Sequence, residues 1–462
     1  MKTLLIKNVK HLVTCDTDDR VLNGVNVLVQ DGIIVRIGQE DMTADDVIDA
    51  SHMVMYPGLI NTHHHLYQTF SRNLPQVQNM ELFPWLKTLY EIWKNVNENV
   101  AYYSSLTGMG ELLKNGCTTC LDHHYVFPKG HNKGILDAQF AAADALRFHA
   151  TRGSMDLSVK DGGLPPDSVV QTVDEILSDC EEAVKKFHDP DPYAMHQVAL
   201  APCSPFSVSG ELLRESAKLA RRLNMLKAVF YDRVFKGLRE DMGETYSPEE
   251  NFTLSHFHMR PLEYMESLGW TGDDVWYAHG IHFTDEELKY LTRTKTGVAH
   301  CPISNMKLSS GIAKIPQMLE LGVPVGLAVD GSASNDGSNL LEEMRVAYLL
   351  HRLNSSNQAP GGYDILKMAT AGSASLLGRE KLGRIAPGMA ADFFLVDLNR
   401  LELVGAQFDV TSMLCTVGLK SSVDYTVVNG NVVVKEGKLT GIDEEKVTEE
   451  ANALVTDYLN QP

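Results

Sequence analysis

Alternation is the property that most narrows what this chain can fold into. Eight apolar, strand-like runs occur at 53–61, 118–124, 148–155, 197–203, 225–231, 275–279, 297–301 and 323–330. Most are separated by stretches with helical periodicity, among them 168–188, 212–223 and 285–291. The last begins Thr284-Asp285-Glu286-Glu287, a capping box in which Thr284 and Glu287 satisfy free helix N–H groups. Eight strand–helix units in succession predict an α/β chain folded as a (β/α)8 TIM barrel. The competing doubly wound sheet calls for a Gly-rich phosphate loop after an early strand, and the sequence has none.

The two ends have a different texture. Residues 1–56 read as short strands with turns, including Asp31-Gly32 between two apolar runs, a hairpin signal. Near the other end Asn429-Gly430 sits between two β-rich runs in the same way, and residues 383–388 carry turn punctuation. Residues 1–56 and 382–462 are therefore expected to combine into one small β domain beside a barrel of residues 57–381.

Of the 462 residues, 44% are hydrophobic and 22% charged, ordinary values for a soluble globular protein with a large core. The formal net charge of -19 argues against nucleic acid or an anionic membrane as partner and leaves small neutral substrates open. The first apolar run is too short for a secretory signal, and no apolar run is long enough to span a membrane. Seven scattered cysteines fit reduced thiols, so a cytoplasmic location is expected. Cys117 and Cys120 form a C-x-x-C inside a strand-like run with no second pair, which favours buried strand cysteines over a zinc or redox motif.

A barrel makes a sharp demand: catalytic groups come from the C-terminal ends of its strands. Those ends carry His63 and His65, then Asp122-His123-His124, Arg152, Ser204, His279, His300 and Asp330. Side chains alternate along a strand, so His63 and His65 share a face and His64 points away. Two imidazoles one pleat apart at a rigid strand end make the first half of a metal site. Any one of these residues reads first as structural; their recurrence at most strand exits is what points to a site.

Four segments carry a resemblance to the amidohydrolase superfamily, in the branch of zinc- or iron-dependent aminohydrolases that includes guanine, cytosine and s-triazine deaminases. They are Pro57-Gly58-Leu59-Ile60-Asn61-Thr62-His63-His64-His65-Leu66, Val275-Trp276-Tyr277-Ala278-His279-Gly280, His300-Cys301-Pro302-Ile303-Ser304-Asn305-Met306 and Val329-Asp330-Gly331-Ser332-Ala333-Ser334-Asn335-Asp336. Within that branch the chain most resembles bacterial 8-oxoguanine deaminases, on Thr151-Arg152-Gly153-Ser154-Met155, Gly163-Leu164-Pro165-Pro166-Asp167-Ser168 and Ala201-Pro202-Cys203-Ser204-Pro205-Phe206-Ser207. The resemblance implies that both chain ends form a β-sandwich beside the barrel. It implies one divalent metal, zinc first and iron second, on His63, His65 and Asp330. Asp330 is also the base for the metal-bound water, and His279 orients or polarises the attacked group. The implied reaction is hydrolytic deamination of an aminated purine-like heterocycle, 8-oxoguanine foremost, with isocytosine, a pterin or a hydroxy-s-triazine as alternatives. A metal lowers the pKa of bound water from 15.7 to about 7, and the resulting hydroxide attacks the amino-bearing ring carbon with release of ammonia. A homo-oligomer is implied as well.

The same resemblance implies a third metal-binding His on the fifth strand and, three residues on, a Glu that shuttles the proton to the ring. Here the sequence departs. Phe230 stands at the His position and Arg233 at the Glu position. Phenylalanine offers no lone pair, and Arg stays protonated. Asp232 is the only nearby residue with ligand chemistry, and about a dozen extra residues precede Met259-Arg260-Pro261. Three readings stand open: a local reading or sequencing error, a site reorganised around Asp232, His256 or His258, and an impaired or inactive homologue that keeps the fold. Weak metal occupancy and reduced turnover are expected of the chain as written. The two-metal members of the superfamily it resembles carry a lysine at the fourth strand exit; none stands here, so the resemblance implies one metal rather than two.

Gln68, His123 and Arg152 are the candidates for substrate contacts. Gln68 offers an amide to a purine-like edge, and Arg152 can donate bidentately to a carbonyl. Phe83, Trp85, Tyr90 and Trp93 form an aromatic stripe that reads first as core.

Overall fold

Gly58 divides the first long apolar run between two sheets. The run at 53–61, expected as one strand, is two: Met53–Pro57 and Leu59–Asn61. A Cβ at Gly58 would lie 2.1 Å from Thr118 Oγ1, and the Gly58 N–H donates to the Asp392 carbonyl at 3.0 Å. Only glycine lets the chain cross so close to the neighbouring strand as it changes sheets. The computed structural model describes residues 2–131, 133–225 and 249–461, together with the backbone at 227–231, 237–238, 245–246 and 248.

Eight strands then pair in sequence order, all parallel: Leu59–Asn61, Cys117–His124, Arg147–Ser154, His196–Pro202, Lys227–Tyr231, Val275–His279, Gly297–His300 and Val325–Leu327. These are the eight runs the alternation picks out. The ends of the series meet, because the Thr62 N–H and hydroxyl donate to the Leu327 carbonyl at 3.3 and 3.0 Å. The Val329 N–H donates to Asn61 Oδ1 at 2.9 Å. That closure makes the sheet a barrel. Small side chains, Ala199, Ala201, Ala299 and Ala328, pack around Ile60, Leu121 and Trp276 in one apolar cluster. Outside, helices such as Val173–Phe187, Gly210–Arg222 and Asp285–Thr294 cover the strands. The last begins with the expected capping box: the Glu287 N–H donates to Thr284 Oγ1 at 3.2 Å, and the Thr284 N–H to Glu287 Oε2 at 2.7 Å.

Both chain ends build a second sheet of nine strands, in which Met53–Pro57 pairs antiparallel with Phe393–Asp397. The two hairpin signals hold. Asp31 and Gly32 have φ of 48° and 81°, and Asn429 and Gly430 of 49° and 72°, as a two-residue hairpin with both central residues left-handed requires. The two turns abut, since a Cβ on Gly32 would meet Asn429 Oδ1. Ile6, Val27 and Met55 from one end share a core with Phe393, Leu395 and Val427 from the other. The last helix, Glu444–Leu459, leaves this sheet and lies on the barrel helix Glu98–Lys114. Lys114 Nζ is 2.5 Å from Glu444 Oε2, and the Tyr103 hydroxyl donates to Glu450 at 3.0 Å. All seven cysteines are free and buried, Cys117 and Cys120 included; burial pushes the Cys117 thiol up to about 12. Among the described residues no helix is long and apolar enough to cross a membrane.

Candidate metal centre

The first barrel strand ends at Asn61, and the chain leaves it through His63, His64 and His65, all buried. His65 Nδ1–H donates to the His123 carbonyl at 2.6 Å. That bond fixes the tautomer and leaves Nε2 as the lone-pair nitrogen, the arrangement by which metal-binding imidazoles are usually held. His64 turns the other way, as alternation predicts. Its Nδ1 accepts the His65 N–H at 2.8 Å and its Nε2 bonds Ser338 Oγ at 3.0 Å, and burial lowers its pKa to about 3.

Asp330 arrives from the eighth strand, its N–H donating to the His63 carbonyl at 3.0 Å. Its Oδ1 is 3.4 Å from His63 Nε2 and 3.2 Å from His65 Nε2. Ligand bonds of about 2.0–2.2 Å to a tetrahedral ion place neighbouring ligand atoms roughly 3.3–3.6 Å apart. Each imidazole therefore stands from the carboxylate at the spacing a zinc-sized ion requires, and the donor types suit it. The other carboxylate oxygen, Oδ2, accepts from the Ser304 hydroxyl at 2.6 Å and from Ser334 at 3.1 Å, and lies 3.8 Å from His279 Nε2. His279, which ends the sixth strand, donates Nδ1–H to Asn305 Oδ1 at 2.8 Å, so its Nε2 faces the carboxylate. His279 and Asp330 have φ of 74° and 62°, a left-handed backbone that non-glycine residues adopt at a cost and that clusters at functional sites.

His123 comes from the second strand and lies against the same pair, its ring centroid 5.5 Å from that of His63 and 5.4 Å from that of His65. One nitrogen of each of these three rings lies within 4.8 Å of the others; His63, His279 and Asp330 form a second such group. Gln68 follows in the turn Leu66–Ser71. A Cβ at Gly331 would lie 2.0 Å from Gln68 Oε1 and 3.0 Å from His65 Cβ, so Gly331 is what lets Gln68 reach the side of Asp330. Tyr125 stands edge-on to His65 at 5.1 Å, and Tyr67 edge-on to Trp93 at 5.3 Å. The aromatic stripe is thus core, as read, with Trp85, Tyr90 and Trp93 buried, and its Trp93 end backs the site.

Arg152 does not join the group. Strand alternation turns it outward, where it pairs with Asp179 Oδ2 at 3.1 Å, bonds Gln171 and the Gly153 carbonyl, and stacks 3.6 Å over Phe127. The expectation of a substrate contact gives way here to an ion pair between strand and helix. His256 and His258 are exposed, and His256 Nδ1 bonds the Phe252 carbonyl at 2.9 Å; among the described residues neither belongs to a group within metal reach. Asp232 and Arg233 lie outside the described residues. The backbone register sets Phe230 opposite Ala278.

Sequence reading passed over the groups that hold the centre. Ser304, Asn305 and Ser334 stand inside the segments that carried the resemblance, but serine and asparagine have no chemical signature of their own. Glu343, in the helix Leu340–Ser355, gave no signal at all. It is buried, accepts the Ile303 N–H at 3.2 Å, and bonds Asn335 Nδ2, so it ties the segment holding Ser304 and Asn305 to the segment that follows Asp330. Burial raises its pKa well above the usual carboxylate range.

Comparison with known proteins bears on this geometry. Residues 54–433 match the amidohydrolase family. The chain is 42% identical to the 8-oxoguanine deaminase of Pseudomonas aeruginosa, over 90% of this chain and 91% of that one. It is 40% identical to the hydroxydechloroatrazine ethylaminohydrolase of Pseudomonas sp. strain ADP, over 98% and 95%. Among solved structures it superposes on atrazine chlorohydrolase from Arthrobacter aurescens TC1 complexed with zinc, with a TM-score of 0.91 and 31% identity, covering 98% of this chain and all of that one.

Proposed function

This chain belongs to the amidohydrolase family and is a metal-dependent aminohydrolase; from that premise we propose that it deaminates an aminated purine-like heterocycle, with 8-oxoguanine the first substrate to test. The observation that carries the reading is Asp330 Oδ1 standing 3.4 Å from His63 Nε2 and 3.2 Å from His65 Nε2, with His279 on the second oxygen of the same carboxylate. We assign one divalent ion, zinc first, to His63, His65 and Asp330. Such an ion, when bound, supplies Lewis acidity and acidifies a water to a pKa of about 7.

The chain's own residues supply the rest. Asp330 Oδ2, directed by Ser304 and Ser334, takes the proton of the attacking water. His279, held by Asn305, presents Nε2 to the group that gains charge as the ring carbon becomes tetrahedral. Gln68 lies next to Asp330–Gly331 and has both a donor and an acceptor for the ring edge. Tyr67 and Tyr125 give a flat ligand an apolar flank. The reacting ring carries an amino group on a carbon beside a ring nitrogen, and that nitrogen must gain a proton before ammonia leaves. A fifth-strand Glu for that task is absent from the sequence, which favours slow turnover.

A hydroxy-s-triazine is the second reading, favoured by 40% identity across nearly the whole chain to a triazine aminohydrolase. Isocytosine and pterins complete the panel. The test is release of ammonia from 8-oxoguanine, isocytosine and a pterin, and of ammonia or ethylamine from a hydroxy-s-triazine bearing amino or ethylamino groups, with added zinc or ferrous iron. Release from 8-oxoguanine above the others supports the first reading. Release from the triazine alone replaces it with the second, and release from none leaves a silent homologue.

A further inference from the structure

The fifth strand poses a problem that the second strand answers. No histidine or cysteine occurs between Cys203 and His256, so neither the fifth strand, Lys227–Tyr231, nor the segment leaving it carries an imidazole or a thiolate. His63, His65 and Asp330 give a divalent ion three protein ligands and one position for water; a third imidazole would hold the ion more firmly, with the water as a fifth ligand. His123 stands beside the gap. Its Nε2–H donates to the Ala201 carbonyl at 2.9 Å, which leaves the lone pair on Nδ1. That nitrogen is buried and has no hydrogen-bond partner among the described residues. A buried imidazole nitrogen left unbonded is costly unless something binds it.

We propose that His123 is a third imidazole ligand of the metal centre, binding through Nδ1 in place of the histidine that the fifth strand lacks. The inference rests on the metal centre assigned above and adds a ligand to it. The backbone already draws this residue in: the His123 N–H donates to the His64 carbonyl at 2.6 Å, and its carbonyl accepts from His65 Nδ1. The ring is therefore fixed on both sides of the amide and at Nε2, with only Nδ1 uncommitted. Ring nitrogens of His63, His65 and His123 lie within 4.8 Å of one another, against roughly 3.4 Å in a tetrahedral set. Metal binding must therefore draw these ligand atoms together by up to about 1.4 Å. The Ala201 bond has the role that the His123 carbonyl has for His65: it orients the imidazole and selects its tautomer.

Metal binding without substrate separates this inference from the deaminase reading. The full-length protein is stripped with a chelator and titrated with zinc alone, and X-ray absorption of the zinc-loaded protein counts imidazole ligands. The wild type should take one zinc per chain with three imidazoles. His123→Gln should lower zinc affinity at least about 100-fold and leave two imidazoles. Asp232→Asn should change neither, and His279→Gln should keep three. Phe230→His combined with His123→Gln should recover the lost affinity. A wild-type centre with two imidazoles overturns the proposal even if His123→Gln fails to fold. So does unchanged affinity in His123→Gln, a loss on Asp232→Asn instead, or a wild type that takes up no zinc. Zinc held through His123 with no ammonia released from any heterocycle would defeat the deaminase reading alone.

Discussion

At the scale of single residues the centre depends on groups that carry no charge. Ser304 donates to Asp330 Oδ2 at 2.6 Å inside a site with no exposed surface. A hydrogen bond to a charged group contributes about 1.5–3 kcal/mol. Ser304→Ala should therefore lower kcat/KM by roughly 10- to 100-fold while the far-ultraviolet circular dichroism stays unchanged; an unaltered rate would show that Asp330 needs only Ser334 and the Gly331 N–H, which donates to Oδ1 at 2.7 Å. The His300–His351 pair makes a pH prediction. Their Nε2 atoms are 3.1 Å apart, one ring donating to the other, and burial lowers the His351 pKa to about 4. An unfolded histidine titrates near 6.5, so below that pH the unfolded chain binds the proton first. The stability is complete above about pH 6.5 and is lost as the pH falls toward 4. Between pH 7 and 5 the loss from this one residue is about 2 kcal/mol. Urea unfolding at both pH values should show that extra loss in the wild type and not in His351→Gln.

At the scale of elements, most of the architecture was legible and the joints were not. The eight barrel runs, the capping box at Thr284 and both hairpins follow from periodicity and turn chemistry, which are local properties. His63, His65, His279 and Asp330 were legible because a barrel sends its strand ends to one face. Arg152 stands apart from the group because a residue at a strand end points inward or outward by parity, and its outward parity is settled only by the register with its neighbours. The division of 53–61 was hidden for a related reason: nothing local distinguishes Gly58 from any other strand glycine until Thr118 is beside it. Gly58→Ala should destabilise the fold by about 1–3 kcal/mol, the usual range for overpacking. The loss should shrink in a Thr118→Ala background, which removes the two nearest atoms and leaves Cβ at 2.8 Å. Glu343 was invisible because its partners, Ile303 and Asn335, come from two other segments. Its carboxylate accepts two N–H groups, whereas glutamine can accept with one oxygen and must set an N–H against the other donor. Glu343→Gln should cost about 1–3 kcal/mol and lower kcat more than it raises KM, since it loosens the segments behind Asp330 and His279 together.

At the scale of the whole molecule, Asp392 is where the two chain ends and the barrel meet. Its carboxylate is paired with Arg147, the first residue of the third barrel strand, with Nη2 to Oδ1 at 3.2 Å and Nε on Oδ2. The same carboxylate accepts the Asn429 N–H of the C-terminal hairpin at 2.7 Å, and the Asp392 carbonyl accepts from Gly58 where the chain enters the barrel. Arg147 in turn donates to the Ala194 carbonyl at 3.0 Å and to Asn429 Oδ1 at 3.2 Å. Both charges are buried, at 0% and 3% side-chain exposure. Desolvation makes such a pair a weak source of net stability but a costly one to break on one side. Asp392→Ala leaves a guanidinium buried with carbonyl and amide partners only, and should destabilise the protein by about 3–5 kcal/mol in urea unfolding. Replacing Arg147 with Met as well removes the stranded charge, and the double variant should regain part of that loss. It should not regain all of it, because the Asn429 N–H still lacks the acceptor that holds the hairpin against the barrel. A double variant as stable as the wild type would mean that apolar contact alone docks the small sheet, and that Asp392 serves only to neutralise Arg147.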